Sequence, residues 1–125
     1  MKEILDQYRT VNEQEIREWF LAGKISDFPS DGGVCVKYKT KQIAVFNFGR
    51  MGKWYACQNL CPHKLEMVIS RGMIGESAGI PKVACPLHKK TFSLEDGSNL
   101  NGEEYKIAVY PVKIENKNVY IGFSE

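Results

Sequence analysis

From Trp19 onward the chain is cut into short runs of alternating apolar and polar residues, separated by turn formers. Runs of this kind, rich in Val, Ile, Tyr, Phe and Trp, read as β-strands. The pattern predicts a first strand at 19–25, ended by Ser26-Asp27-Phe28-Pro29, and a second at 34–38 after Ser30-Asp31-Gly32-Gly33. Lys39-Thr40-Lys41 turns the chain into a strand at 42–48, and Gly49-Arg50-Met51-Gly52 makes a hairpin into 53–58. Short strands at 82–84 and 91–94 follow, the latter closed by Glu95-Asp96-Gly97. A terminal hairpin joins 105–114 to 119–122 around Asn116-Lys117. Pro111 lies inside the first arm of that hairpin and marks an edge or bulge, because proline cannot donate to a ladder. Gly72, Gly75, Gly79 and Pro81 mark the stretch before 82 as loop. Many short strands with tight turns predict an all-β fold, an antiparallel sandwich or barrel.

Residues 1–18 have a different texture. Ile4, Leu5, Tyr8 and Val11 recur at three- and four-residue spacing, which is helical. Asn12 followed three positions later by Glu15 has the form of a capping box. The expected organisation is an N-terminal helical extension, 1–18, on a single domain spanning 19–125.

Composition narrows the classes. A chain of 125 residues, 43% hydrophobic and 26% charged, suits one folded domain with one core. A net charge of +2 is too small to argue for nucleic acid, and no arginine-rich helix is visible. No apolar run approaches the roughly 18 to 20 residues that span a bilayer. Met1-Lys2-Glu3-Ile4-Leu5-Asp6 carries acidic residues and no apolar core of a secretory signal, which predicts a cytoplasmic protein with no membrane partner. Four cysteines are too few for a disulfide-stapled secreted domain.

Two of those cysteines stand in short clusters. Cys61-Pro62-His63 is followed, after 21 intervening residues, by Cys85-Pro86-Leu87-His88. Each cluster offers one thiolate and one imidazole, and Cys61, His63, Cys85 and His88 together predict a metal centre clipped between two loop tips. Pro62 and Pro86 fix φ where the loops must hold their ligands. Two Cys and two His are also the donors of a structural zinc site. Zinc fingers, however, pair like ligands along the chain, whereas each half here mixes Cys and His, which suits a binuclear centre. A Cys–His nucleophile pair is disfavoured, since no carboxylate or amide orienter stands at a telling spacing. Cys35 and Cys57 read as small buried apolar residues on strands. The glycines between the clusters match no phosphate-binding pattern.

The flanks of the two clusters carry a resemblance. Lys53-Trp54-Tyr55-Ala56 leading to Asn59-Leu60-Cys61-Pro62-His63, and Cys85-Pro86-Leu87-His88 leading to Phe92, Leu94 and Gly97, resemble the Rieske [2Fe–2S] proteins. The likeness covers about 19–122 and implies a cluster-binding subdomain at about 57–93. In this family two cysteines hold one iron and two histidines the other. The resemblance therefore assigns Cys61 and Cys85 to the buried iron, and His63 and His88, through Nδ1, to the outer one.

Departures from the pattern place the chain within the family. High-potential Rieske proteins add one cysteine to each loop and join them by a disulfide; the matching positions here are Glu66 and Leu87. They also place Ser and Tyr hydrogen-bond donors where this chain has Lys90 and Phe92, and Phe cannot donate. Fewer donors imply a potential near or below the lower end of the Rieske range, which runs from about −150 to +300 mV. Lys64, Lys89 and Lys90 push the other way, weakened by screening.

Oxygenase-type relatives usually carry Gly after the second histidine, where this chain has Lys89-Lys90. With Cys61-Pro62-His63-Lys64 and Ser70-Arg71-Gly72, the sequence Cys85-Pro86-Leu87-His88-Lys89-Lys90-Thr91-Phe92-Ser93-Leu94 resembles the small subunits of assimilatory NAD(P)H nitrite reductases. The resemblance implies an electron-transfer subunit, not catalytic alone, that docks on a large subunit carrying sirohaem and flavin. Residues 64–90 carry five basic and two acidic side chains, a cationic rim suited to an acidic docking face. The alternatives are a free Rieske-type ferredoxin serving an oxygenase and a zinc-held interaction module.

Overall fold

The computed structural model describes residues 2–125. After a one-turn helix α1 (Lys2–Leu5), nearly all its regular structure is β: β1 (Glu18–Lys24), β2 (Gly32–Tyr38), β3 (Lys41–Phe48), β4 (Lys53–Gln58), β5 (Leu60–Cys61), β6 (Glu66–Met67), β7 (Met73–Ser77), β8 (Ile80–Ala84), β9 (Thr91–Ser93), β10 (Val109–Tyr110), β11 (Val112–Glu115) and β12 (Asn118–Phe123).

The central strand, β3, is buried on both faces. Its run Ile43-Ala44-Val45-Phe46 is fully inaccessible, which an uninterrupted apolar stretch allows and a half-polar strand would not. Around it lies an antiparallel sheet in the order β10-β4-β3-β2. On one face Ile43 and Val45, with Tyr38, Ala56 and Tyr110, meet Val119, Ile121 and Phe123 of the second sheet, β1-β12-β11. Tyr38 stacks on Phe123 with ring centroids 3.6 Å apart. On the other face Ala44, Phe46 and Cys57 pack on Ile69, Val83, Phe92 and Leu94 of a small subdomain. That subdomain consists of the pair β5-β6 and the sheet β7-β8-β9. The sheets are separate and packed as layers; no barrel closes.

Several strand limits match the sequence pattern within a residue or two, and the differences have causes. The stretch around Gly75 and Gly79, expected as loop, is the hairpin β7-β8, turned by Ala78 and Gly79 at φ 50° and 83°. The expected strand 105–114 forms only from Val109 and is cut at Pro111. There the chain changes sheets: β10 pairs with β4 and β11 with β12. The proline is thus a corner between layers. Cys35 lies on β2 as expected but is exposed, because the alternation of that strand turns it outward; Cys57 is buried.

The expected N-terminal helical extension is not found among the described residues. Beyond α1 the segment is irregular apart from a single 3-10 turn at Glu13–Glu15, where the Glu15 carboxylate accepts the Asn12 N–H at 2.9 Å. Tyr8 and Val11 are buried members of the first core. Val11 N–H donates to Val109 O at 3.0 Å, and Val109 N–H donates to Thr10 Oγ1 at 3.2 Å. The segment therefore covers the otherwise open edge of β10. A helix of one turn is far below the length that sustains itself, so the unpaired sheet edge wins the backbone. Gln42 N–H also donates to the Tyr8 hydroxyl at 3.0 Å.

Tyr8→Ala is expected to cost about 3–5 kcal/mol through the cavity it leaves. Tyr8→Phe should cost about 1 kcal/mol, the net worth of one hydrogen bond. Urea unfolding checks both values; a loss under about 0.5 kcal/mol for Tyr8→Ala would detach the segment from the fold.

Candidate metal centre

Two buried amides set the entry to the first loop. Asn59 donates through Nδ2 to Gln42 Oε1 at 3.1 Å and accepts the Ser70 N–H on Oδ1 at 2.7 Å. Its own backbone donates to Gln42 O at 2.9 Å and accepts from Ile69 N–H at 3.0 Å. Gln58 donates to Leu60 O and accepts the Ala108 N–H, each at 2.7 Å. Cys61 thus leaves a framework tied to β3 on one side and to the chain before β10 on the other.

The two loops then turn in the same way. Leu65 N–H closes on Cys61 O at 2.7 Å, and Lys89 N–H closes on Cys85 O at 2.8 Å. In each case the closing residue stands four after the cysteine and is left-handed, with φ 57° at Leu65 and 56° at Lys89. The second loop therefore places a lysine where glycine would meet no steric penalty. A further bond, Cys85 N–H to Lys90 O at 2.8 Å, pins its base.

These turns bring all four predicted residues together, as two pairs of like donors. Cys61 and Cys85 are buried, at 0% and 1% exposure, and their thiols interact. Burial pushes the Cys61 thiol above its ordinary pKa, and the facing Cys85 adds to this. The backbone N–H groups of His63 and Lys64 point at the sulfur and oppose it. The imidazoles of His63 and His88 lie beside each other, ring centroids 5.0 Å apart and 75° between planes. Desolvation lowers the His63 pKa, followed by the positive charges of Lys90, His88 and Lys64. His63 Nδ1 is buried without a hydrogen-bond partner.

An unpartnered buried imidazole nitrogen is costly unless something takes its lone pair. Two buried thiols facing each other, one with N–H groups aimed at its sulfur, likewise suit bound thiolates. Among the described residues no three His, Cys, Asp or Glu side chains converge on one ion position. The donors form a thiol pair and an imidazole pair, each drawn from both loops, which suits two metal ions with different ligands.

Two neighbours, Tyr105 and Glu103, carried no signal in the sequence. Tyr105 presents its ring to His63 with centroids 5.4 Å apart. Lys90 is paired with Glu103 at 2.9 Å, and the Glu66 carboxylate lies 3.4 Å from His88 Nε2. The expected cationic rim is therefore partly neutralised, and Lys64, Arg71 and Lys89 are its exposed members. Phe92 is fully buried beside the centre. Cys35 is apart from it, its sulfur 3.5 Å from the side-chain amides of Gln42 and Asn59.

The fold, with two Cys/His loop tips facing each other, fits a metal-binding β-domain. The family model for a Rieske-like [2Fe-2S] domain matches residues 18–122, and the chain belongs to that family. Its cofactor is accordingly a Rieske [2Fe–2S] cluster, and the chain is a Rieske-type electron-transfer protein. It is 36% identical over 106 residues to the nitrite reductase [NAD(P)H] large subunit of Klebsiella oxytoca, covering 85% of this chain but only 11% of that protein's length. It is 33% identical over 106 residues to the ferredoxin component of the naphthalene 1,2-dioxygenase/salicylate 5-hydroxylase systems of Ralstonia sp, covering 84% and 95% of the two chains. The solution structure of the nitrite reductase [NAD(P)H] small subunit from Erwinia carotovora superposes with a TM-score of 0.74 at 34% identity, covering 88% of this chain and 85% of that one. No helix among the described residues is long and apolar enough to cross a membrane.

Asn59→Ala is expected to destabilise the protein by about 1–3 kcal/mol, since it removes the acceptor of the part-buried Ser70 N–H and the amide donor to Gln42 Oε1. Chemical denaturation measures this, and faster loss of visible absorbance in the variant would report the loosened first loop.

Proposed function

We propose that Cys61 and Cys85 hold one iron and His63 and His88 the other, and that the domain serves as the small electron-transfer subunit of an NAD(P)H nitrite reductase. The observation that carries the ligand assignment is the separation of the four donors into a buried thiol pair and an outer imidazole pair. A [2Fe–2S] cluster supplies a one-electron couple to whatever docks at its histidine end.

The chain's own residues prepare that site in three ways. The buried cysteines and the closed turns after them hold the thiol pair away from water. The His63 and Lys64 N–H groups offset negative charge on Cys61. His63 and His88 lie nearer the surface, at the face a partner would meet. Leu87, 53% exposed between Cys85 and His88, and Tyr105 beside His63 add apolar area to that face. The lack of a side-chain hydroxyl at 90 and 92 supports a potential near or below the lower end of the Rieske range.

The nitrite reductase assignment draws on the Erwinia small subunit and on the Klebsiella large subunit. In the latter a segment similar to this chain is part of a much longer protein. A domain built into a large chain in one relative and separate in another is expected to dock on that large chain when separate. Docking on a sirohaem- and flavin-carrying large subunit in the cytoplasm follows from this reading. A second reading, a free ferredoxin delivering electrons to an oxygenase, is favoured by the Ralstonia relative.

Metal analysis with EPR tests the assignment. Two irons and two inorganic sulfides per chain, with a rhombic signal after dithionite, are expected; stoichiometric zinc with no such signal would overturn it. His88→Cys should lower the midpoint potential, and Cys35→Ala should leave the spectrum intact. Co-purification with a large sirohaem protein supports the subunit reading, and a stable monomer that reduces an oxygenase would replace it with the second.

A further inference from the structure

The two imidazoles at the centre are held by different means. His63 has Tyr105 against its ring and lysines nearby, and Nδ1 is its buried, unpartnered atom. His88 instead directs Nε2 to the carboxylate of Glu66, 3.4 Å away across the gap between the two loops. Glu66 begins β6 and pairs with Cys61 on β5, so its backbone is fixed by the strand that carries the first thiol. It also occupies the position at which the high-potential Rieske pattern has a disulfide cysteine.

We propose that Glu66 is a positioning residue, a non-covalent latch between the loops that sets the orientation of His88 and the electron richness of that one ligand. This rests on the assignment of His88 Nδ1 as a metal ligand. With a metal on Nδ1 the proton must sit on Nε2, which then donates to the Glu66 carboxylate. A ligating histidine whose other N–H meets a carboxylate is fixed in tautomer and ring angle and becomes a more basic ligand. The adjacent negative charge and the stronger donor both favour the oxidised centre. Glu66 thus lowers the potential through His88 alone, and the two histidines are inequivalent. Glu103, the other nearby carboxylate, is paired with Lys90 and supplies the comparison.

The test compares three variants of the intact iron-loaded protein: Glu66→Gln, Glu66→Asp and Glu103→Gln. Wild type with two irons and two sulfides per chain is the precondition, and its absence would defeat the ligand assignment itself. Glu66→Gln is expected to keep the cluster and shift the reduction equilibrium at least tenfold toward the reduced form, ~59 mV for one electron. Pulsed EPR on protein carrying 15N-histidine should then show one of two coupled nitrogens changed and the other unmoved. Glu66→Asp should return part of the shift, and Glu103→Gln should give less than half of it. An unmoved potential in cluster-loaded Glu66→Gln, or an equal shift from Glu103→Gln, would overturn the proposal. If Glu66→Gln fails to load while Glu66→Asp loads, the requirement for a carboxylate is upheld; if both load only as poorly as each other, it is overturned.

Discussion

The structure depends on burying both faces of β3. Ile43 and Val45 serve the core between the two large sheets, while Ala44 and Phe46 serve the core beneath the metal-binding subdomain. Ile43, Val45 and Phe46, fully buried, each contribute roughly 1.5–3 kcal/mol relative to exposure. A one-residue slip of β3 would exchange the two sets and leave Phe46 facing the space that Val45 fills. The register of this strand against β4 thus fixes where Gln58 and Asn59 emerge, and with them Cys61. The second loop is fixed from the same core, through Val83, two residues before Cys85, and Phe92, four after His88.

That arrangement explains why so small a domain can hold its donors without a disulfide between the loops. The first loop is braced by the buried amides of Gln58 and Asn59, which connect β3, the chain before β10 and the 3-10 turn at Ile69–Arg71. Both loops close with the same backbone hydrogen bond to the cysteine carbonyl. Left-handed Leu65 and Lys89 cost something at these turns, and the paired closures hold them there. The four donor side chains are therefore placed by the backbone and core, and the side chains around them are free to tune charge.

Much of this was legible in the sequence, for identifiable reasons. Alternation located the strands from 19 to 58 because each turns at least one partly buried face to a core, and Pro111 marked a break because it cannot donate. The four candidate donors stood out because metal chemistry demands particular residue types at short spacing. The N-terminal segment misled because three- and four-residue spacing also serves an irregular strand edge that buries Tyr8 and Val11. Gly75 and Gly79 suggested loop because their lack of side chains hides the β7-β8 pairing, which depends on partners and not on composition. Tyr105 and Glu103 carried no signal, since they meet the site from a stretch distant in the chain, and the Glu66–His88 contact depends on how the two loops face each other.

The central claim is that the four donors separate by type onto two metal ions. Mössbauer spectroscopy of the protein loaded with 57Fe tests it most directly. Two iron sites of equal population are expected, one with the isomer shift of a sulfur-ligated iron and the other with the larger shift and quadrupole splitting of a histidine-ligated iron, the added electron localising on the latter. A single site, or two indistinguishable ones, would contradict the separation of thiols from imidazoles.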